Sequence, residues 1–118
     1  MIDWRQPVTL VEGPHDAIVA GENSIPILGS AVGPRSLLLE RLVEHQTPVF
    51  VALDEDAQGK QRKLEQMLVK LGVRTFSVKI RGGDVDDIGR DKFLEAKRQA
   101  TPVTLDSSYE DMLLEYLQ

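Results

Sequence analysis

The stretch Pro48–Leu53, PVFVAL, is continuously apolar and rich in β-branched and aromatic residues, with a proline opening it and DED closing it. A run this short is a strand. Because it lacks the polar alternation of a half-exposed strand, it belongs in a sheet covered on both faces. The rest of the chain fits that demand. Pro7–Val11 (PVTLV) is a second β-rich run, closed by Glu12-Gly13, and Pro14 suits the first turn of a helix reaching about Glu22. Ser24–Gly29 (SIPILG) reads as a short strand, and after Gly33-Pro34 the residues Leu38, Leu39, Leu42 and Val43 recur at helical spacing. Leu64, Met67, Leu68 and Leu71 do the same in a helix over 57–71 that stops at Gly72, and Val73–Ile80 alternates as a strand. A Gly- and Asp-rich turn leads to a short helix around Arg90–Arg98, which Thr101-Pro102 breaks. Ser107-x-x-Glu110 then predicts a capping box for a last helix, Ser108–Leu117. Strands alternating with helices predict an α/β fold, a mostly parallel four-stranded sheet flanked by helices, in which function collects at the carboxyl ends of the strands.

At 118 residues the chain suits one small domain with its own core. The absence of cysteine excludes disulfides, thiolate zinc sites and a cysteine nucleophile, and two histidines, His15 and His45, leave little for zinc. No apolar run is long enough to span a bilayer, and MIDWRQPVTL has neither the basic start nor the apolar centre of a signal peptide, so the expectation is a soluble, intracellular protein without membrane contact. A net charge of -5 argues against wrapping nucleic acid unaided. The charges are segregated, however. Between Lys60 and Arg81 seven basic residues face the single acid Glu65, which leaves the remaining chain strongly acidic.

Much of that acid sits in three clusters, each just after a strand. From Asp54 the sequence nearly matches a calcium loop, with Asp54, Asp56, Gln58, Gly59 and Glu65 at the ligand positions. A calcium loop is entered from a helix, whereas here the entry is the best strand of the chain, so Asp54 and Asp56 read as a strand-end pair with both carboxylates on one side. Glu12 ends the first strand, with Asp16 one helical turn later, and Gly82-Gly83-Asp84-Val85-Asp86-Asp87 follows the fourth. If the first and third strands are neighbours, Glu12, Asp16, Asp54, Asp56, Asp84 and Asp86 converge on one edge of the sheet, a donor set for a hard cation.

The ordered set VEGPHD, ALDEDAQGK and GGDVDDIG resembles the Toprim domain of DnaG-type primases, topoisomerases and OLD-family nucleases, and is most similar to the primase segment of tailed phages. The resemblance spans about Pro7 to Ala96, with residues 1–100 as the Toprim domain and 101–118 as a C-terminal helical extension. It departs from the primase pattern at Val85, where Pro is common, and at His15, where an apolar or aromatic residue is usual. The resemblance implies a three-layer Toprim-like fold and metal-dependent primer synthesis in DNA replication. Glu12 would be general acid/base or metal ligand, Asp54 and Asp56 would bind Mg²⁺ or Mn²⁺, Asp84 and Asp86 would extend the metal site, and Asp16 and Asp87 would support it. Lys60, Lys79 and Arg81 would meet nucleotide or template phosphates. The implied partners are single-stranded DNA template and ribonucleotides, held with the help of further basic and zinc-ribbon domains, and a replicative helicase. The implied setting is the cytoplasm of a bacterium or a phage-infected host, and the chain is expected to be a fragment or one part of a split enzyme, poorly active alone. The same carboxylates also suit a Toprim nuclease, and a non-catalytic recombination module is the third alternative. Tyr109 and Tyr116 are read as packing residues on the last helix.

Overall fold

The computed structural model of the protein describes residues 2–27, 36–110 and 113–114. Gly29, the Gly33-Pro34 pair and Tyr116 lie outside the described residues. One sheet is formed by β1 (Val8–Val11), β2 (Ser24–Pro26), β3 (Val49–Ala52), β4 (Thr75–Ser77) and β5 (Thr101–Pro102), in the order β2-β1-β3-β4-β5. The first four strands are mutually parallel and β5 runs antiparallel to β4. The sheet thus has five strands where the sequence predicts four. Thr101-Pro102, expected only as a helix breaker, pairs with Ser77 and Phe76, because an outer strand can accommodate a proline. The opposite margin has the same feature at Pro26. Ile27 N–H donates to Val11 C=O and Val103 N–H to Thr75 C=O, so strand alternation turns both proline nitrogens outward.

The helices are α1 (Pro14–Ala20), α2 (Leu37–His45), α3 (Gln58–Lys70), α4 (Val85–Ile88) and α5 (Arg90–Arg98). Alternation along the central strands sorts two cores. Val8, Leu10, Val49 and Val51 pack with Leu39, Leu42, Leu64 and Leu68 of α2 and α3, while Val11, Ala52, Val78 and Ile80 pack with Ala20, Val85 and Phe93 of α1, α4 and α5. All of β1 and all but Phe50 of β3 are buried. Covering on both sides is therefore why PVFVAL shows no polar alternation. The result is a three-layer α/β fold of Toprim-like form.

α2 begins at Leu37 because Ser36 caps it, its Oγ accepting the Leu39 N–H at 3.1 Å. The last expected helix starts differently. Asp106 caps a 3-10 turn over Ser107–Tyr109, accepting the Ser108 N–H at 2.9 Å, and Glu110, the expected box partner of Ser107, reaches Lys70 instead at 3.4 Å. Leu113 is buried in the α2/α3 core. The chain moves one way from β1 to β2 and the other way to β3 and β4. This reversal makes the carboxyl ends of β1 and β3 the topological switch point, where an open α/β sheet leaves a crevice.

Candidate metal centre

Three aspartates meet at that crevice, each delivered by a different piece of local chemistry. Asp16 stands in the first turn of α1, where its Oδ2 accepts the Gly13 N–H at 3.0 Å and its Oδ1 accepts the Asp86 N–H at 2.9 Å. It is 5% exposed, and it ties the first acidic cluster to the third. Asp54 follows directly on Leu53 at the β3 exit. Asp84 is the N-cap of α4, its Oδ1 accepting the Asp87 N–H at 2.7 Å while Asp87 Oδ2 accepts the Asp84 N–H at 3.1 Å. One carboxylate oxygen from each of Asp16, Asp54 and Asp84 lies within 4.8 Å of the other two. Asp54 Oδ1 is buried without a hydrogen-bond partner among the described residues. Burial, then the charges of Asp16, Glu12, Asp84 and Asp56, push the Asp54 carboxyl up to about 6. A buried, unpartnered carboxylate oxygen among like charges is the condition that a divalent cation with oxygen ligands relieves.

The other residues expected at the site occupy distinct places. Glu12 is close enough to act on Asp54 electrostatically, but its carboxylate is held by Lys60, with Nζ 3.3 Å from each oxygen. Lys60, expected to meet phosphate, is thus engaged with an acid. Asp56 is exposed on a 3-10 turn, Glu55–Ala57, and lies outside the trio. The expected two-residue alternation stops at Asp54 because the strand has already ended. Asp86 is exposed and contributes its backbone N–H rather than its carboxylate to the trio. Asp87 serves Asp84 through the reciprocal cap. The calcium-loop alternative does not survive, since residues 58–70 form α3 and Glu65, 5% exposed, accepts a hydrogen bond from Gln61 Nε2 at 2.9 Å.

Two contributors had escaped sequence reasoning. Glu55 zips the second acidic cluster to the third, its N–H donating to Gly83 C=O at 3.0 Å and its carboxylate accepting the Gly82 N–H at 2.9 Å. Nothing in its sequence context signals this. Gln61 is a buried amide on the apolar stripe of α3, in step with Leu64 and Leu68, and a polar residue at such a position is itself a detectable signal.

Lys79 and Arg81 are exposed on the segment that leaves β4 toward Asp84. Two grooves flank that segment. One, of about 700 Å³, runs along α3 past Arg62, Glu65 and Ser77, and the other, of about 410 Å³, passes Arg81, Lys92 and Gln99 of the α5 side. Lys79 lines both, and neither groove is lined by a member of the aspartate trio. No described helix is long and apolar enough to cross a membrane.

The chain matches no family model and no curated protein. Its fold, however, has close counterparts among solved structures. It superposes on the primase of Aquifex aeolicus, a structure comprising zinc-binding and RNA polymerase domains, with a TM-score of 0.67 and 22% identity, covering 82% of this chain and 26% of that one. A DNA primase domain from Pseudomonas aeruginosa matches with a TM-score of 0.65 and 22% identity, covering 93% of this chain and 38% of the other. The fold is primase-related. The chain spans well under half the length of either relative, and at this identity the likeness concerns architecture alone.

Proposed function

We propose that this chain is a Toprim-type catalytic core for metal-dependent nucleotidyl transfer, the primer-synthesis part of a DNA primase, and that it works with further template-binding domains. The observation that carries the reading is an Asp54 carboxyl that has one oxygen buried without a partner among the described residues and lies with Asp16 and Asp84 in a trio whose carboxylate oxygens come within 4.8 Å of one another; the primase-related fold supports it. Asp16, Asp54 and Asp84 would hold Mg²⁺ or Mn²⁺, with Asp87 fixing Asp84 and Asp86 fixing Asp16. The ion would supply activation of the attacking 3′-hydroxyl and neutralisation of the leaving phosphate. Glu12, paired with Lys60, would take the hydroxyl proton. Lys79 and Arg81 would steer nucleotide or template phosphates toward the acids.

Mn²⁺ titration by calorimetry tests the centre, with wild type beside Asp54→Asn. Binding that the substitution abolishes supports the reading. Absence of binding to wild type removes its basis. Ribonucleotide incorporation on single-stranded template, with a basic template-holding domain added, then tests the chemistry; hydrolysis of the template without incorporation would assign the same carboxylates to a nuclease.

A further inference from the structure

The hydrogen-bond ladder between β3 and β4 is interrupted one residue before Asp54. Val49 N–H donates to Arg74 C=O at 2.8 Å, and Val78 N–H donates to Val51 C=O at 3.0 Å. In a parallel ladder the bonds continue at even spacing, so the next rung would join Leu53 N–H to Val78 C=O. It is not made. The side-chain amide of Gln61 stands in its place, Oε1 accepting Leu53 N–H at 2.9 Å and Nε2 donating to Val78 C=O at 3.2 Å. The same Nε2 lies 2.9 Å from Val51 C=O and 2.9 Å from Glu65 Oε2. Gln61 is 1% exposed. The amide therefore bridges the two strand ends, and its orientation is fixed, because only the oxygen end can accept from Leu53 N–H, while the two hydrogens of the nitrogen end are shared among Val51 C=O, Val78 C=O, Glu65 Oε2 and Ser77 Oγ.

We propose that Gln61 is a positioning residue for the metal centre: the spliced rung sets where β3 ends, and so where the Asp54 carboxylate stands relative to Asp84 on the chain leaving β4. This rests on the metal-binding reading above and deepens it. The bridged strand ends give Asp54 a place facing Asp16 and Asp84 instead of a place in line with a continuing β4. Without the amide, Leu53 N–H and Val78 C=O are left buried and unpaired, or they find each other and draw the β3 exit toward β4. Either way the trio loses its spacing, and a displacement of about an ångström is enough to damage a coordination set.

Gln66 provides a matched control. It is the same residue type on the same helix, 4% exposed, and its amide also links two backbone groups, Thr104 C=O at 3.0 Å and Asp106 N–H at 2.7 Å, on a segment outside the trio. Mn²⁺ affinity is measured by calorimetry for wild type, Gln61→Met and Gln66→Met, at a temperature where circular dichroism shows each fully folded. The expected result is binding at least about tenfold weaker for Gln61→Met and within about twofold of wild type for Gln66→Met, although both lose a buried amide. Equal weakening in the two variants would reduce Gln61 to a structural role and overturn the proposal. Unchanged binding in Gln61→Met would overturn it while leaving the metal centre standing, whereas failure of wild type to bind would remove both. Should Gln61→Met not fold, Gln61→Asn keeps an amide but is one methylene too short to bridge Leu53 N–H and Val78 C=O, and it is judged by the same comparison.

Discussion

Asp54 pays for its position in protons. Its carboxyl is pushed from 3.8 up to about 6, first by burial and then by four neighbouring carboxylates. Between those two values the folded chain binds more protons than the unfolded one, so the metal-free protein loses stability as pH rises from about 4 to about 6, and the penalty is complete above that range. After discounting for solvent screening it amounts to about 1 kcal/mol. Asp54→Asn is thus expected to raise the melting temperature of the metal-free protein at pH 7 by about 4 °C, with the gain vanishing near pH 3.5, while abolishing Mn²⁺ binding. Thermal scans against pH check the first effect and calorimetry the second. Asp84 combines the metal-ligand role with a side-chain cap that Asp54 does not make. As an N-cap, asparagine replaces aspartate at little cost, so Asp84→Asn should keep stability within about 0.5 kcal/mol yet weaken Mn²⁺ binding at least tenfold; equal losses of cap and metal would show that the carboxylate's role is only structural.

Between elements, the three acidic clusters are joined by backbone: Asp16 to Asp86 N–H, Glu55 to Gly82 N–H, and Glu55 N–H to Gly83 C=O. Gly83 is the sensitive member, with φ at +119° and an added Cβ that would run into the Asp87 carboxyl. Gly83→Ala is expected to cost about 1–3 kcal/mol and to disturb the Asp84 cap, and with it Mn²⁺ affinity. By contrast, Gly59 on α3 has no atom within 4 Å of its would-be Cβ, and Gly59→Ala should be neutral or stabilising by up to about 1 kcal/mol. Chemical denaturation of the pair distinguishes local strain from a general intolerance of substitution. The strands β1 and β3 and the helices α3 and α5 were legible in the sequence because each carries a full period of apolar residues between turn signals. The trio was only partly so. Asp54 and Asp84 could be placed after strand ends and Asp16 one helical turn beyond one, but the exclusion of Asp56 depends on where β3 stops, and the diversion of Lys60 to Glu12 depends on a contact spanning 48 positions. β5 escaped because two residues ending in proline have no periodicity to read, and α4 because a single turn is too short to show one.

For the whole molecule, a short basic strip lies beside the proposed centre on a chain that is acidic overall. Lys79 is exposed between two grooves, and Arg81 and Lys92 continue the basic strip along one of them, but the net charge of -5 opposes a polyanion at long range. The isolated chain is therefore expected to gain melting temperature with Mn²⁺ while binding single-stranded DNA weakly and with steep salt dependence, a combination that fluorescence anisotropy at two ionic strengths would reveal. Tight, salt-insensitive binding would contradict it. Any companion domain would also meet a constraint set by Pro26 and Pro102. Each withholds a donor on the outward margin of its strand, so neither side of the sheet readily accepts another strand. Growth by strand addition, whether into a partner's sheet or into a fibril of identical copies, is disfavoured at both margins. Association is left to side chains and helix faces, where it can be specific and reversible.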